Sequence, residues 1–118
     1  MEKDDIVYID HILDAISAIE EYVKGLTFKD FIKPKNRIVQ AAVIRELQVI
    51  GEAVKKLSKQ IKKENPDIPW RDITGMRDKL THEYFAVNLE VVWLTIEKDI
   101  PFLKKIAKEL KTSQKEAA

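Results

Sequence analysis

The sequence predicts an all-α domain, an up-and-down bundle of four to five helices. Apolar residues recur at steps of three and four, the spacing that builds one buried helical face. Only three glycines and four prolines punctuate 118 residues, too few for the many reversals of a small β-sandwich. Hydrophobic residues make up 45% of the chain and charged ones 35%, as helices with one dry and one wet side require. The length fits one domain with a modest core, over residues 1–111, followed by a polar tail at 112–118 expected to fray.

The first helix is expected over Asp4–Lys24, where Ile6, Ile9, Leu13, Ile16, Ile19 and Val23 form the stripe. Gly25 falls where a left-handed residue closes a helix. Thr27 and Asp30 have the spacing of a capping box, and Phe28, Phe31 and Ile32 give a short turn something to bury before Pro34 ends it. A long helix then runs from Asn36, a candidate N-cap, to about Glu64. Its seam is Val43, Leu47, Ile50, Val54, Leu57 and Ile61, suited to antiparallel packing, with Gly51 beside it. After the loop NPDIPW come a short turn at Arg71–Ile73, a break at Gly75 and a helix from Met76 to about Tyr84. The last helix starts near Asn88, another candidate N-cap, and buries Leu89, Val92, Trp93, Ile96, Ile100, Leu103, Ile106 and Leu110, with a kink or restart at Pro101.

Charge narrows the function without naming it. The formal net charge is +1, so no strongly basic surface announces a nucleic-acid partner, although 21 basic residues can still be unevenly spread. The absence of cysteine removes disulfides and thiolate metal sites. The opening MEKDDIVYID is acidic and amphipathic, unlike a signal peptide, and no run approaches the roughly 20 apolar residues that span a bilayer. The expectation is a cytoplasmic protein with no membrane partner. The lysines from Lys55 to Lys63 read as a solvated helix face, and His11, beside the first stripe, reads as a structural or edge histidine.

One segment is unusually rich in chemistry. Arg77, Asp78, Lys79, Thr81, His82, Glu83 and Tyr84 crowd into eight residues, where a core helix would spend more positions on aliphatic side chains. Arg77 offers a permanent cation able to grip a phosphate, His82 titrates near neutral pH, and Tyr84 is a phenol. Together they point to phosphodiester chemistry. On an ideal helix Arg77 and Tyr84 share a face, whereas His82 lies about 140° round from Arg77. Convergence therefore needs local distortion, long side chains, or a second subunit. A homodimer with this helix at its two-fold axis would gather two arginines and two histidines around one cleft, supplying both an acid and a base. A purely structural alternative has Arg77 paired with a carboxylate and His82 capping the helix.

The motif Arg77-x4-His82-x-Tyr84 resembles the R-x4–6-H signature of HEPN domains, in the extended form of HepT-like proteins. The segments DHILDAISAIEEYVKGLTFKDF (10–31), AVIRELQVIGEAVKKLS (42–58) and IPWRDITGMRDKLTHEYFAVNLEVVW (68–93) look like that family too, so the resemblance covers nearly the whole chain. It implies a HEPN-type bundle that dimerises and acts as the toxin of a type VII-like toxin–antitoxin pair. The implied activity is metal-independent cleavage of RNA, tRNA or mRNA, with no cofactor. Arg77 would hold the scissile phosphate and His82 would move the proton. Tyr84 would be the residue that a cognate minimal nucleotidyltransferase antitoxin adenylylates. HEPN proteins often carry asparagine after the arginine, where this chain has Asp78. A carboxylate near phosphate is unfavourable unless Lys79, Arg71 or Arg45 offsets it, and those three are the candidate supporting residues. HEPN domains are also linked with nucleotide binding. The competing expectation is therefore a non-catalytic nucleotide-binding module or partner subunit of the nucleotidyltransferase.

Overall fold

The computed structural model describes residues 3–75 and 88–117, and the described residues contain helices and no strand. Three long helices carry the core: α1 (Lys3–Val23), α3 (Arg37–Lys56) and α7 (Ile100–Ala117). Shorter ones are α2 (Phe28–Phe31), α4 (Lys59–Glu64), α5 (helical residues 70–75) and α6 (Leu89–Leu94). The helix expected from Met76 to Tyr84 lies outside the described residues.

Helix α1 runs antiparallel to both of its long neighbours. Asp5 meets Ser58 while His11 and Ala15 face Glu46 and Val49 across α3. On the other side Glu20 pairs with Lys104 at 3.0 Å and Asp10 with Lys111 at 2.8 Å. All three helices bury an apolar face, as the all-α reading requires. Every seam residue expected of the second long helix, Val43, Leu47, Ile50, Val54, Leu57 and Ile61, is buried. Val92, Trp93, Ile100, Leu103, Ile106 and Leu110 complete the core from the C-terminal side.

The stripe of α1 is rotated from its expected position. Ile9, Ile16 and Ile19 are buried as predicted, but Ile12 and Asp5 join them while Ile6 is 38% exposed and Leu13 only partly buried. The cause is polar. The Asp5 carboxylate, 1% exposed, accepts a hydrogen bond from the Ser58 backbone N–H at 2.8 Å and another from the Ser58 hydroxyl at 2.6 Å. A buried carboxylate is tolerated only when its oxygens are satisfied, and two charge-assisted bonds do this.

The same contact divides the helix expected from Asn36 to Glu64 into two. Leu57 turns extended at ψ 143, and Ser58 then caps α4 by accepting the Ile61 N–H on its hydroxyl. The seam nevertheless continues through Leu57 and Ile61, so the corner bends the backbone without exposing the core. Nearby, burial lowers the pKa of Lys62 below 10.5, while the Asp5 charge pulls it back up.

Local signals elsewhere are mostly obeyed. Gly25 takes a positive φ of 79 after α1, and Thr27 with Asp30 forms both bonds of the capping box. The Thr27 N–H, its hydroxyl and Lys33 hold the Asp30 carboxyl below 3.8. Asn36 precedes α3 but its side chain does not cap it. A single 3₁₀ turn, Pro34–Asn36, leads into the helix, and the Asn36 amide donates to the Asp30 carbonyl at 2.6 Å. Gly75, expected to break the chain, is helical.

Pro101 produces no restart of the helix. The chain is helical without interruption from Leu89 to Ala117, with a π turn at Thr95–Asp99 just before the proline. Proline has no N–H to give the carbonyl four residues back, and a wider turn, closed by Ile100 N–H to the Thr95 carbonyl, takes up the misfit. The helix continues through Thr112 to Ala117, where fraying was expected.

Asp5→Ala should lower unfolding stability by about 1–3 kcal/mol, because the part-buried Ser58 donors lose their acceptor. Urea denaturation beside Asp4→Ala, an exposed position expected to stay within about 0.5 kcal/mol, checks this. For Lys62, the lowered folded pKa means that the unfolded chain binds more protons between that value and 10.5. Its contribution to stability therefore rises with pH across that window and levels above it. Lys62→Met should flatten this rise in urea midpoints measured against pH.

Candidate functional site

Arg77, Asp78, Lys79, His82 and Tyr84 lie outside the described residues, between Gly75 and Asn88. The frame on either side of them is defined. Upstream, the loop after α4 is closed by the Trp70 indole, which donates to the Asn65 carbonyl at 3.0 Å. Ile68, Trp70 and Ile73 then rest against the core. Downstream, Asn88 caps α6 as expected, its side-chain oxygen accepting from the Glu90 and Val91 N–H groups at 2.9 and 3.4 Å.

Trp93 anchors this downstream side. Its ring centroid lies 5.2 Å from Phe31 and 6.4 Å from Phe28, and its indole donates to Glu97 at 2.7 Å. Helix α6 therefore packs directly against α2. Thr95 donates to the Val91 carbonyl at 2.8 Å, satisfying a buried hydroxyl within its own helix.

The two supporting arginines are placed by the structure. Arg45 is exposed on α3 and Arg71 is exposed in α5, and neither forms an ion pair with another described residue. Glu46, beside Arg45, is half-buried in a cleft with His11 and Asp14. His11 itself is exposed and stands edge-on to Tyr8 at 6.2 Å, an edge histidine.

The clefts share an electrostatic character. One of about 370 Å³ between α5 and the α6–α7 run is lined by Ile73, Val91 and Phe102, with Asp72 and Asp99 in its walls. A second, of about 380 Å³, holds Glu64 and Glu109, and the His11 cleft holds Asp14 and Glu46. Each carries two carboxylates and, among the described residues, neither lysine nor arginine. Such walls repel a phosphate backbone. No three His, Cys, Asp or Glu among the described residues are grouped to hold a metal ion. No described helix is long and apolar enough to cross a membrane.

Comparison with known proteins gives this frame a context. The profile of the family described as Ribonuclease HepT-like matches residues 12–110, a span that contains both the frame and the arginine–histidine segment. A candidate RNase of Caldanaerobacter subterraneus subsp. tengcongensis is 45% identical over 108 residues, covering 92% of this chain and 95% of its own length. A probable ribonuclease HepT of Thermococcus cleftensis is 46% identical over 97 residues, covering 82% of this chain and 86% of its own. A Methanocaldococcus jannaschii protein, named as both a gamma-glutamylcyclotransferase and a candidate RNase, is 44% identical across 93% of this chain but only 50% of its own length. No solved structure matches.

Replacing the cap tests how this frame is held. Asn88→Ala should cost about 1 kcal/mol of stability through the two freed N–H groups of α6, read as a lowered thermal midpoint.

Proposed function

This chain belongs to the HepT-like ribonuclease family, and from that membership we propose that it is an endoribonuclease whose chemistry is carried by Arg77 and His82. The observation that carries the reading is the family match over residues 12–110 with Arg77-x4-His82-x-Tyr84 inside it. Arg77 binds the scissile phosphate and offsets the charge that gathers on its oxygens in the transition state. His82 removes the proton from the ribose 2′-hydroxyl, whose oxygen attacks phosphorus. The 5′-oxygen leaves with a proton delivered by a second histidine, and a 2′,3′-cyclic phosphate remains. A homodimer supplies that second histidine as the His82 of the other copy, so one imidazole serves as base while the other serves as acid.

In this reading the protein is the toxin of a toxin–antitoxin pair and its antitoxin is a minimal nucleotidyltransferase. The antitoxin transfers AMP from ATP to the Tyr84 phenol, with release of pyrophosphate. A phosphate and a purine beside the cleft repel and obstruct an RNA backbone, which silences the nuclease.

Purified protein incubated with total cellular RNA in EDTA is expected to leave cyclic-phosphate ends. Arg77→Ala and His82→Ala should each lower the rate by about 10²- to 10³-fold. No cleavage by folded, dimeric protein free of AMP would sink this reading in favour of a non-catalytic nucleotide-binding subunit. Tyr84→Phe should keep cleaving RNA in the presence of the nucleotidyltransferase and ATP. Silencing of that variant would remove Tyr84 from the mechanism.

A further inference from the structure

The connection between α1 and α3 concentrates positive charge. From Lys24 to Arg37 it holds Lys24, Lys29, Lys33, Lys35 and Arg37 against a single carboxylate, Asp30, a net +4 in a chain whose total is +1. All five cations are exposed. Asp30 is occupied by the Thr27 capping box and by Lys33 at 3.3 Å. The preceding α1 is the opposite, with six carboxylates to one lysine.

This corner is built rather than loose. The Asn36 side chain donates to the Asp30 carbonyl, and the Gln40 amide donates to the carbonyls of Phe31 at 2.9 Å and Lys33 at 3.2 Å. Side chains of the 3₁₀ turn and α3 therefore fix the backbone that displays the cations. Ile32 and Ile38, 42% and 83% exposed, lie among them and offer apolar surface to an unstacked base.

The position of the corner matters as much as its charge. Phe28 and Phe31 pack on Trp93, five residues beyond Asn88, which is about 7.5 Å along a helix. The cations thus stand on the side of the bundle where the described chain resumes at Asn88. Besides the α7 lysines, of which Lys104 is paired with Glu20 and Lys111 with Asp10, a second cluster, Lys55 to Lys63, sits at the Asp5–Ser58 end of α1, about 30 Å away along a 21-residue helix. There Lys56 is paired with Glu52, and Lys62 is partly buried with its ammonium on the Lys55 carbonyl. With carboxylates in the walls of these three clefts, the corner is a described surface on which a polyanion meets little repulsion.

We infer that the Lys24–Arg37 corner is the docking surface for the phosphate backbone of the RNA substrate, holding a single strand as it enters the Arg77–His82 segment. This rests on the proposed ribonuclease activity. Phosphate contacts of this kind position a strand without reading its sequence, and they weaken with salt.

The test measures binding of a fluorescent single-stranded oligouridine by anisotropy across a salt series, together with the kinetics of its cleavage. The protein is compared with a Lys24→Ala/Lys29→Ala/Lys35→Ala triple variant, and with a Lys55→Ala/Lys59→Ala/Lys63→Ala variant that loses equal charge at the far end. The corner variant should bind at least about tenfold more weakly, with a salt slope reduced by about 2 if each lysine meets one phosphate. Its KM should rise with kcat unchanged, while the far-end variant stays near wild type. Unchanged affinity and slope in the corner variant, with wild-type cleavage intact, would overturn this inference alone and leave the cations to an acidic protein partner. Equal losses in both triple variants would also overturn it, reducing the effect to bulk charge. Binding that depends on the corner without any cleavage would retain the surface and remove the nuclease reading. Wild-type protein that neither binds nor cuts RNA would end both.

Discussion

The carboxylate of Asp5 is the constraint around which the rest of the bundle is arranged. It lies in the first turns of α1, yet it is satisfied by a serine 53 positions away. That pairing sets the rotation of α1 by drawing Asp5 into the interior with Ile9, Ile12, Ile16 and Ile19. It also sets where α3 stops, because Ser58 cannot donate its N–H to Asp5 and to a helical carbonyl at once. An isolated buried charge would be expelled or neutralised. Satisfied by two hydrogen bonds, this one fixes the relative height of two antiparallel helices, which apolar packing alone specifies less sharply.

The corner at Ser58 in turn directs the chain toward the segment with the chemistry. Once α3 has turned into α4, the chain crosses through the loop closed by Trp70, runs along α5, and returns at Asn88 against α2. The π turn before Pro101 lets the final helix continue while meeting α1 at both Glu20 and Asp10. The frame on each side of residues 76–87 is therefore held by core contacts and by caps, which suits the fixed geometry that the proposed phosphate chemistry needs.

Charge is distributed along the bundle in a way that a net of +1 conceals. Acid is concentrated on α1 and in the clefts, while base is concentrated along α7, at the α1–α3 corner and at the α3–α4 corner. Of these two basic corners, the first adjoins the end of the bundle at which Asn88 emerges. The two look alike in composition, and it is the packing of Phe28 and Phe31 on Trp93 that distinguishes them.

Much of this architecture was legible in local pattern. The α3 seam from Val43 to Ile61, the Gly25 turn, the Thr27–Asp30 box and the Asn88 cap each depend on neighbours within a few positions, and each is present. The arginine–histidine segment was legible as chemistry and as a family motif, with Arg45 and Arg71 as candidate supporting cations. Hydropathy placed Ile6 inside and Asp5 outside because it cannot see Ser58, a partner far along the chain. It likewise read one helix where the Asp5–Ser58 contact makes two, and a kink or restart at Pro101 where the helix runs on through a wider turn. The five cations of the α1–α3 corner were in plain view but interleaved with phenylalanines and isoleucines that read as core. The sequence by itself determined the all-helical class, most of the buried residues and the cluster of candidate phosphate-handling side chains, since periodicity, capping and side-chain chemistry are local. Only the tertiary structure decided the rotation of α1, the corner at Ser58 and which basic surface stands beside the candidate site, because each rests on groups that meet only when the chain is folded.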